Sequence, residues 1–137
     1  MDYFYVISPV AADPDFEAKR AIVASTARSL DLVPLFPLDR SPGIALERAS
    51  EDIRKARFVL ADLSLERPSC YFELGLAEAT GVDVDIIAKV GTPIHQVGYA
   101  AQVNFYRDVD DYKRLIRRLF DAKFAVRVTT AEQHVPH

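Results

Sequence analysis

Two almost wholly apolar runs constrain the fold of this chain more than any other feature of its sequence. Tyr3–Ser8 and Phe58–Leu63 are rich in aromatic and branched residues, and neither run alternates between polar and apolar positions. A strand with one solvent-exposed face shows that alternation, whereas a strand buried on both faces does not. Both runs are therefore predicted to be inner strands of a parallel sheet.

Segments with the spacing of amphipathic helices separate these runs from three further strand-like segments. The predicted strands are Tyr3–Ser8, Leu32–Leu38, Phe58–Leu63, Val84–Val90 and Val103–Tyr106, and the predicted helices are Phe16–Leu30, Ile44–Ala56, Cys70–Thr80 and Asp108–Phe124. Prolines favour an edge position for the second strand. Alternating strands and helices indicate a parallel sheet covered on both faces. The sequence thus predicts a doubly wound, flavodoxin-like α/β fold with five parallel strands in the order 2-1-3-4-5.

Length and composition fit one folded domain. The chain has 137 residues, of which 50% are hydrophobic, and its formal net charge is −3. Such a chain can bury a full core and is not of the disordered class. We expect a single domain over residues 1–128 and a polar C-terminal tail over residues 129–137. The near balance of charges argues against nucleic acid as a partner, and no apolar run is long enough to span a membrane.

A cytoplasmic setting without cofactors is expected. The start of the sequence lacks the basic stretch and the cleavage site of a signal peptide. A single cysteine excludes a disulfide framework. His134 and His137 fall in the predicted tail without the spacing of metal ligands, so the sequence indicates no metal site.

The topology alone indicates where a ligand would bind. Ligands of doubly wound sheets lie beyond the carboxyl ends of the strands, at the point where the strand order reverses. Ser8 ends the first predicted strand, Asp62 and Ser64 end the third, Asp39 follows the second, and His95 follows the fourth. We expect these side chains to surround one crevice. For Asp62, the alternative is a turn residue that satisfies loop amides.

Glu73 is expected to face the same crevice from the first turn of the helix that begins near Cys70. One interpretation is structural, because a glutamate in a first turn commonly forms a capping box, here with Ser69. The other is chemical, because a carboxylate among apolar neighbours such as Tyr71 and Phe72 can act as a nucleophile or a base. Cys70 itself is either a reactive thiol at a helix N-terminus or a small buried residue.

One stretch of the sequence resembles a known family. Ala61–Ser64 reads Ala-Asp-Leu-Ser, and after a short loop Tyr71–Ala77 reads Tyr-Phe-Glu-Leu-Gly-Leu-Ala in a segment that closes with Gly81. This pattern resembles the nucleoside 2-deoxyribosyltransferase-like family. Ile53–Arg57 and Val103–Asp108 also resemble segments of that family, so the resemblance spans most of residues 1–124.

The resemblance implies cleavage of the N-glycosidic bond of a nucleoside or nucleotide. Glu73 matches the family glutamate that attacks the anomeric carbon, and water or a second base then takes the sugar. Asp62 would position the substrate or assist the leaving base. The remaining residues assigned to substrate binding are Ser8, Asp39, Ser64, Tyr71 and His95. The resemblance also implies a homo-oligomer, because relatives complete their pockets across a dimer interface.

Two alternatives stay open. Cys70 and Glu73 have the Cys-x-x-Glu spacing of TIR domains, some of which hydrolyse NAD. The second hypothesis is therefore a TIR-like NAD hydrolase in a defence or signalling system. The third is a non-catalytic nucleotide-binding signalling module. It is favoured by Ala49, which occupies a helix position where family members often carry an aspartate.

Overall fold

The chain forms one five-stranded sheet in which all neighbouring strands are parallel. A computed structural model describes residues 2–10, 12–37, 46–95, 97–98 and 102–133. The strands are β1 (Tyr3–Ile7), β2 (Val33–Leu35), β3 (Val59–Asp62), β4 (Val84–Lys89) and β5 (Val103–Tyr106). Their order is β2-β1-β3-β4-β5. The predicted doubly wound, flavodoxin-like fold is therefore confirmed, and its order reverses between β1 and β3.

Helices cover the two faces of this sheet in pairs. They are α1 (Phe16–Arg28), α2 (Leu46–Lys55), α3 (Pro68–Thr80) and α4 (Val109–Gln133). Helices α1 and α4 pack together on one face, and α2 and α3 pack together on the other. Successive side chains of a strand point to opposite faces. In β1, Phe4 and Val6 accordingly join the core under α1 and α4, while Tyr5 and Ile7 join the core under α2 and α3.

Aromatic rings fill the core under α1 and α4. The ring of Phe4 stacks on Phe58 with 4.8 Å between centroids, and both rings meet Phe120 edge-on. The opposite core is mainly aliphatic, with Ile53 and Leu74 fully buried. Because both faces of β1 and β3 are covered, these strands carry apolar residues at every buried position except Asp62. This is why the two runs lack alternation.

Helix α3 begins two residues earlier than the sequence pattern suggested. Pro68 occupies its first turn and Arg67 is the N-cap, which makes no side-chain capping bond. Proline is favoured at this position because its missing N–H has no partner there in any case. Glu73 therefore lies in the second turn, and its expected placement in the first turn is wrong. The capping box with Ser69 is also wrong, because the N-cap is Arg67. Gly81 ends the helix with φ +77°, as predicted.

Helix α4 is longer than expected and runs through Gln133 into the segment predicted as a tail. In the described part of the chain, no helix is both long enough and apolar enough to cross a bilayer. Asp39, His134 and His137 lie outside the described residues.

Candidate active site

Glu73 meets a central strand of the sheet through one hydrogen bond. The side chain of Glu73 is half-buried on α3, and Tyr5 on β1 is fully buried beneath that helix. The hydroxyl of Tyr5 donates to Oε2 of Glu73. A hydroxyl donor favours the charged form of a carboxylate and fixes its rotation. The fold therefore holds the Glu73 carboxylate in one orientation near the point where the strand order reverses.

The thiol of Cys70 lies beneath the same helix and is only 1% exposed. Burial, together with the negative charges of Glu73 and Asp62, raises the pKa of Cys70 to about 12. A neutral thiol is a poor nucleophile. Of the two interpretations of Cys70, the structure therefore supports the small buried residue.

Asp62 points to the other side of the sheet from Glu73. Its side chain is buried on the α1 and α4 side, where its Oδ2 accepts hydrogen bonds from Lys19 Nζ at 3.1 Å and from the Tyr106 hydroxyl at 2.8 Å. Its Oδ1 accepts from the backbone N–H of Ser64 at 3.0 Å. Both carboxylate oxygens are therefore engaged inside the protein, and the structure does not bring this carboxylate to the Glu73 side.

Lys19 is the centre of this cluster. Its ammonium group also pairs with Asp13 and donates to the Tyr106 hydroxyl at 2.7 Å. The hydroxyls of Ser64 and Tyr106 are 2.9 Å apart. We call this set of five residues (Asp13, Lys19, Asp62, Ser64 and Tyr106) the Lys19 network. Burial and the charge of Asp62 raise the pKa of Tyr106 far above its usual range, so the hydroxyl keeps its proton as a donor.

The position of Lys19 in the sequence indicates burial, although a lysine is normally exposed. The buried residues of α1 are Phe16, Lys19, Val23 and Ala27. A lysine at an apolar position of a helix is almost never fully buried unless it is paired. The same spacing that predicted the helix therefore also indicated a buried charge with an acidic partner.

Ser8 lies on the Lys19 side of the sheet, not on the Glu73 side. Its Oγ is buried and has no hydrogen-bond partner among the described residues. It borders a small cavity that is also lined by Asp13, Lys19 and Asp62. Ser8 and Ser64 are therefore brought together with Asp62, as expected, but on the face away from Glu73.

Tyr71 and His95 come together on the α3 side of the sheet. The backbone N–H of His95 donates to the Tyr71 hydroxyl at 3.0 Å, and the two rings meet edge-on at 5.7 Å. Nε2 of His95 lies 2.6 Å from Oε1 of Glu66. Glu66 and Leu65 have φ values of +52° and +68°. Left-handed backbone at two successive non-glycine residues is unfavourable, so this turn must be held by its surroundings.

Comparison with known proteins identifies the fold. No protein-family model and no curated protein matches the chain. Among solved structures, a 2-deoxyribosyltransferase from Leishmania mexicana matches with a TM-score of 0.53 and 29% identity, over 64% of this chain and 65% of that enzyme. The chain thus spans just under two thirds of that enzyme's length.

Two further solved structures match over more of the chain at lower identity. A 2-deoxyribosyltransferase from Bacillus psychrosaccharolyticus has a TM-score of 0.60 and 15% identity, over 81% of this chain and 90% of its own. A CMP N-glycosidase from Clostridium botulinum has a TM-score of 0.62 and 11% identity, over 84% of this chain and 97% of its own. At these identities the likeness concerns the fold. Together, the three neighbours support the resemblance to the nucleoside 2-deoxyribosyltransferase-like family.

Proposed function

We propose that this chain cleaves the N-glycosidic bond of a nucleoside or nucleotide, with the Glu73 carboxylate as nucleophile. The observation that carries the proposal is the hydrogen bond from Tyr5 to Glu73 Oε2, which holds a half-buried carboxylate near the ligand-binding edge of the sheet. The three structural neighbours are enzymes of nucleoside or nucleotide chemistry, which supports the same reaction class. The family motif around Glu73 supports the role of this residue.

The proposed reaction has two steps. A carboxylate oxygen of Glu73 attacks the anomeric carbon, and the bond from that carbon to the base nitrogen breaks with its electron pair. The base leaves with a proton taken from solvent or from a donor in the closed site. Water or the nitrogen of a second base then attacks the same carbon, the bond to Glu73 breaks, and the incoming group loses its proton. A covalent intermediate divides one difficult step into two easier ones.

Tyr71 and His95 are our first candidates for contacts to the substrate. Both lie on the Glu73 side of the sheet and are already joined to each other. An aromatic ring and an imidazole offer a stacking surface and a hydrogen-bonding group, which are the features that recognise a base. Asp39 stays a candidate from its place after β2.

The test compares the native protein with Glu73→Gln and with Glu78→Gln. Glu78 is an exposed glutamate of the same helix, and Gln keeps the acceptor for the backbone N–H of Gly98. The substrates are ribonucleosides, 2′-deoxynucleosides, their monophosphates and NAD, each with and without a second free base. Chromatography reports released base, nicotinamide or a new nucleoside. We expect turnover that Glu73→Gln abolishes and Glu78→Gln preserves.

Other outcomes favour the alternatives. Nicotinamide as the main product would favour a TIR-like NAD hydrolase that uses the same glutamate. A ligand that raises the melting temperature without release of any base would favour a non-catalytic nucleotide-binding module. Turnover that survives Glu73→Gln would contradict the assignment of the nucleophile.

We also propose that the chain forms a homo-oligomer. Phe72 on α3 is 45% exposed, and Phe105 on β5 is 46% exposed. Because side chains of a strand alternate, Phe105 lies on the same side of the sheet as Val103, which packs in the core under α3. Exposed large apolar side chains are common in interfaces between subunits. Light scattering after size-exclusion chromatography gives the mass directly, and a monomer at micromolar concentration would contradict the proposal.

A further inference from the structure

The Lys19 network joins four separate segments of the chain at the carboxyl edge of the sheet. Asp13 precedes α1, Lys19 belongs to α1, Asp62 ends β3, and Tyr106 ends β5. The side chain of Lys19 is 8% exposed, and those of Asp13 and Asp62 are 7% and 4% exposed. Two aromatic rings lie over the ammonium group, with Tyr106 at 5.1 Å and Tyr112 at 5.5 Å.

The network is also bonded to the turn that leads into α3. Asp62 Oδ1 accepts from the N–H of Ser64, and Ser64 Oγ accepts from the N–H of Lys89 at 2.9 Å. The next two residues are Leu65 and Glu66, whose left-handed backbone is unfavourable without support. Helix α3 then begins at Pro68 and carries Glu73. Only the turn separates the buried carboxylate of Asp62 from the helix that holds the proposed nucleophile.

We propose that Lys19 and Asp62 are positioning residues, which set the turn over residues 63–67 and through it the place of Glu73. Asp62 does not touch the substrate and transfers no proton, because both of its oxygens are engaged on the face of the sheet away from Glu73. This inference rests on the proposed function for its kinetic consequence. Its structural consequence, a turn that depends on Asp62, stands apart from any activity.

The test uses Asp62→Asn and a matched control, Asp85→Asn. Asparagine keeps the size of Asp62, but its single acceptor oxygen cannot serve both the N–H of Ser64 on one side and Lys19 and Tyr106 on the other. Asp85 pairs with Lys123 at 3.0 Å on the same face, at the opposite end of the sheet. Both variants therefore lose one ion pair between a helix and a strand, but only the first lies beside the turn. Tyr106→Phe, which removes a single hydroxyl and keeps the ring, replaces Asp62→Asn if that variant does not fold.

Hydrogen exchange is the readout that needs no activity. We expect Asp62→Asn to speed amide exchange over residues 63–72 at least tenfold, while Asp85→Asn leaves that segment unchanged. Equal exchange in native and Asp62→Asn proteins would overturn the proposal. If the native protein releases no base from any substrate, the proposed function fails, and exchange alone still decides whether Asp62 holds the turn.

Kinetics then separate positioning from proton transfer. We expect Asp62→Asn to lower kcat about tenfold or more, to change KM less than about threefold, and to keep both limbs of the pH–rate profile. Loss of one limb would show that Asp62 donates or accepts a proton in the reaction and would overturn the proposal. An unchanged kcat would overturn it as well.

Discussion

The hydroxyl of Tyr5 on β1 donates to the carboxylate of Glu73 on α3, although 68 residues separate the two in the sequence. Strand β1 lies beside the point where the strand order reverses, and its odd-numbered side chains face α3. A buried tyrosine generally needs a partner for its hydroxyl. The alternation of β1 and the placement of α3 together determine that this partner is Glu73.

Tyr5→Phe should therefore lower activity more than stability. The substitution keeps the ring in the core and removes the donor that orients the Glu73 carboxylate. Hydrogen bonds to charged groups contribute roughly 1.5–3 kcal/mol, which corresponds to a loss of about tenfold to a hundredfold in kcat if the bond acts in the transition state. Steady-state kinetics of base release measure the effect. Tyr3→Phe, on the same strand and face, is the control and should lose less, because the Tyr3 hydroxyl donates to the backbone carbonyl of Asp52 instead.

Cys70 should resist thiol reagents in the folded protein. Its pKa is raised to about 12 by burial and by the nearby carboxylates, so almost no thiolate is present at pH 8. We expect reaction with an aromatic disulfide reagent to be at least about a hundredfold slower than in denaturant, where a cysteine pKa is near 8.5. Absorbance of the released thiolate follows both reactions. Equal rates would show that the thiol is exposed.

The same pKa shift predicts a direction for alkaline stability. The folded state holds the thiol proton more tightly than the unfolded state does, so this contribution to stability is complete below about pH 8.5. It is lost as the pH rises from there towards 12. Cys70→Ala should therefore lose less stability between pH 8 and pH 11 than the native protein does, as measured by urea unfolding at each pH. An identical loss in both proteins would contradict the expectation.

Lys19→Met should destabilise the fold strongly. It leaves Asp13 and Asp62 buried near each other without their cation. Removing one partner of a buried ion pair costs about 3–5 kcal/mol. Lys123→Met is the matched control, because Lys123 is more exposed and pairs with Asp83 and Asp85 at the other end of the sheet. Urea unfolding should show the larger loss for Lys19→Met, and equal losses would mean that burial of the Lys19 network contributes nothing.

Gly75 inside α3 and Gly81 at its C-terminal end should respond oppositely to substitution by alanine. Gly75 lies inside the helix and a Cβ there would meet nothing within 4 Å among the described residues, so Gly75→Ala should stabilise the protein by about 0.5–1 kcal/mol. Gly81 has φ +77°, and Gly81→Ala should cost about 1 kcal/mol from backbone strain. Thermal unfolding measures both changes. If Gly75→Ala is stable but inactive, a ligand approaches the helix at this residue.

Burial patterns made most of the fold predictable from the sequence. Tyr3–Ile7 and Val59–Asp62 are inner strands because, apart from Asp62, their side chains are apolar on both faces. Strand β2 lies at the edge, where Pro34 needs no ladder donor. The start of α3 was less predictable, since the apolar pattern predicts Cys70 and the helix begins at Pro68. The spacing of apolar residues does not mark a first helical turn, whereas the preference of proline for that turn does.

The site was less predictable than the fold. Topology brings Asp62, Ser64 and Ser8 to one edge of the sheet, but the faces that they occupy depend on the strand register. A shift of one residue exchanges the faces. In the structure, Asp62 accepts a hydrogen bond from Lys19 on one face of the sheet. Glu73 accepts one from Tyr5 on the other face. The apolar pattern explained Tyr5 as a core residue of its strand, and it gave no role to Lys19.

At its carboxyl edge, the sheet separates the residues on the α3 side from the Lys19 network on the α1 and α4 side. Glu73 and the residues proposed to contact the substrate, Tyr71 and His95, lie on one side, and the buried Lys19 network lies on the other. Under the proposed function, changes on the α3 side can alter which base or sugar is accepted without disturbing the ion pairs of the Lys19 network. Selection for a new substrate and selection for tolerance of heat would therefore act on different residues of this small domain.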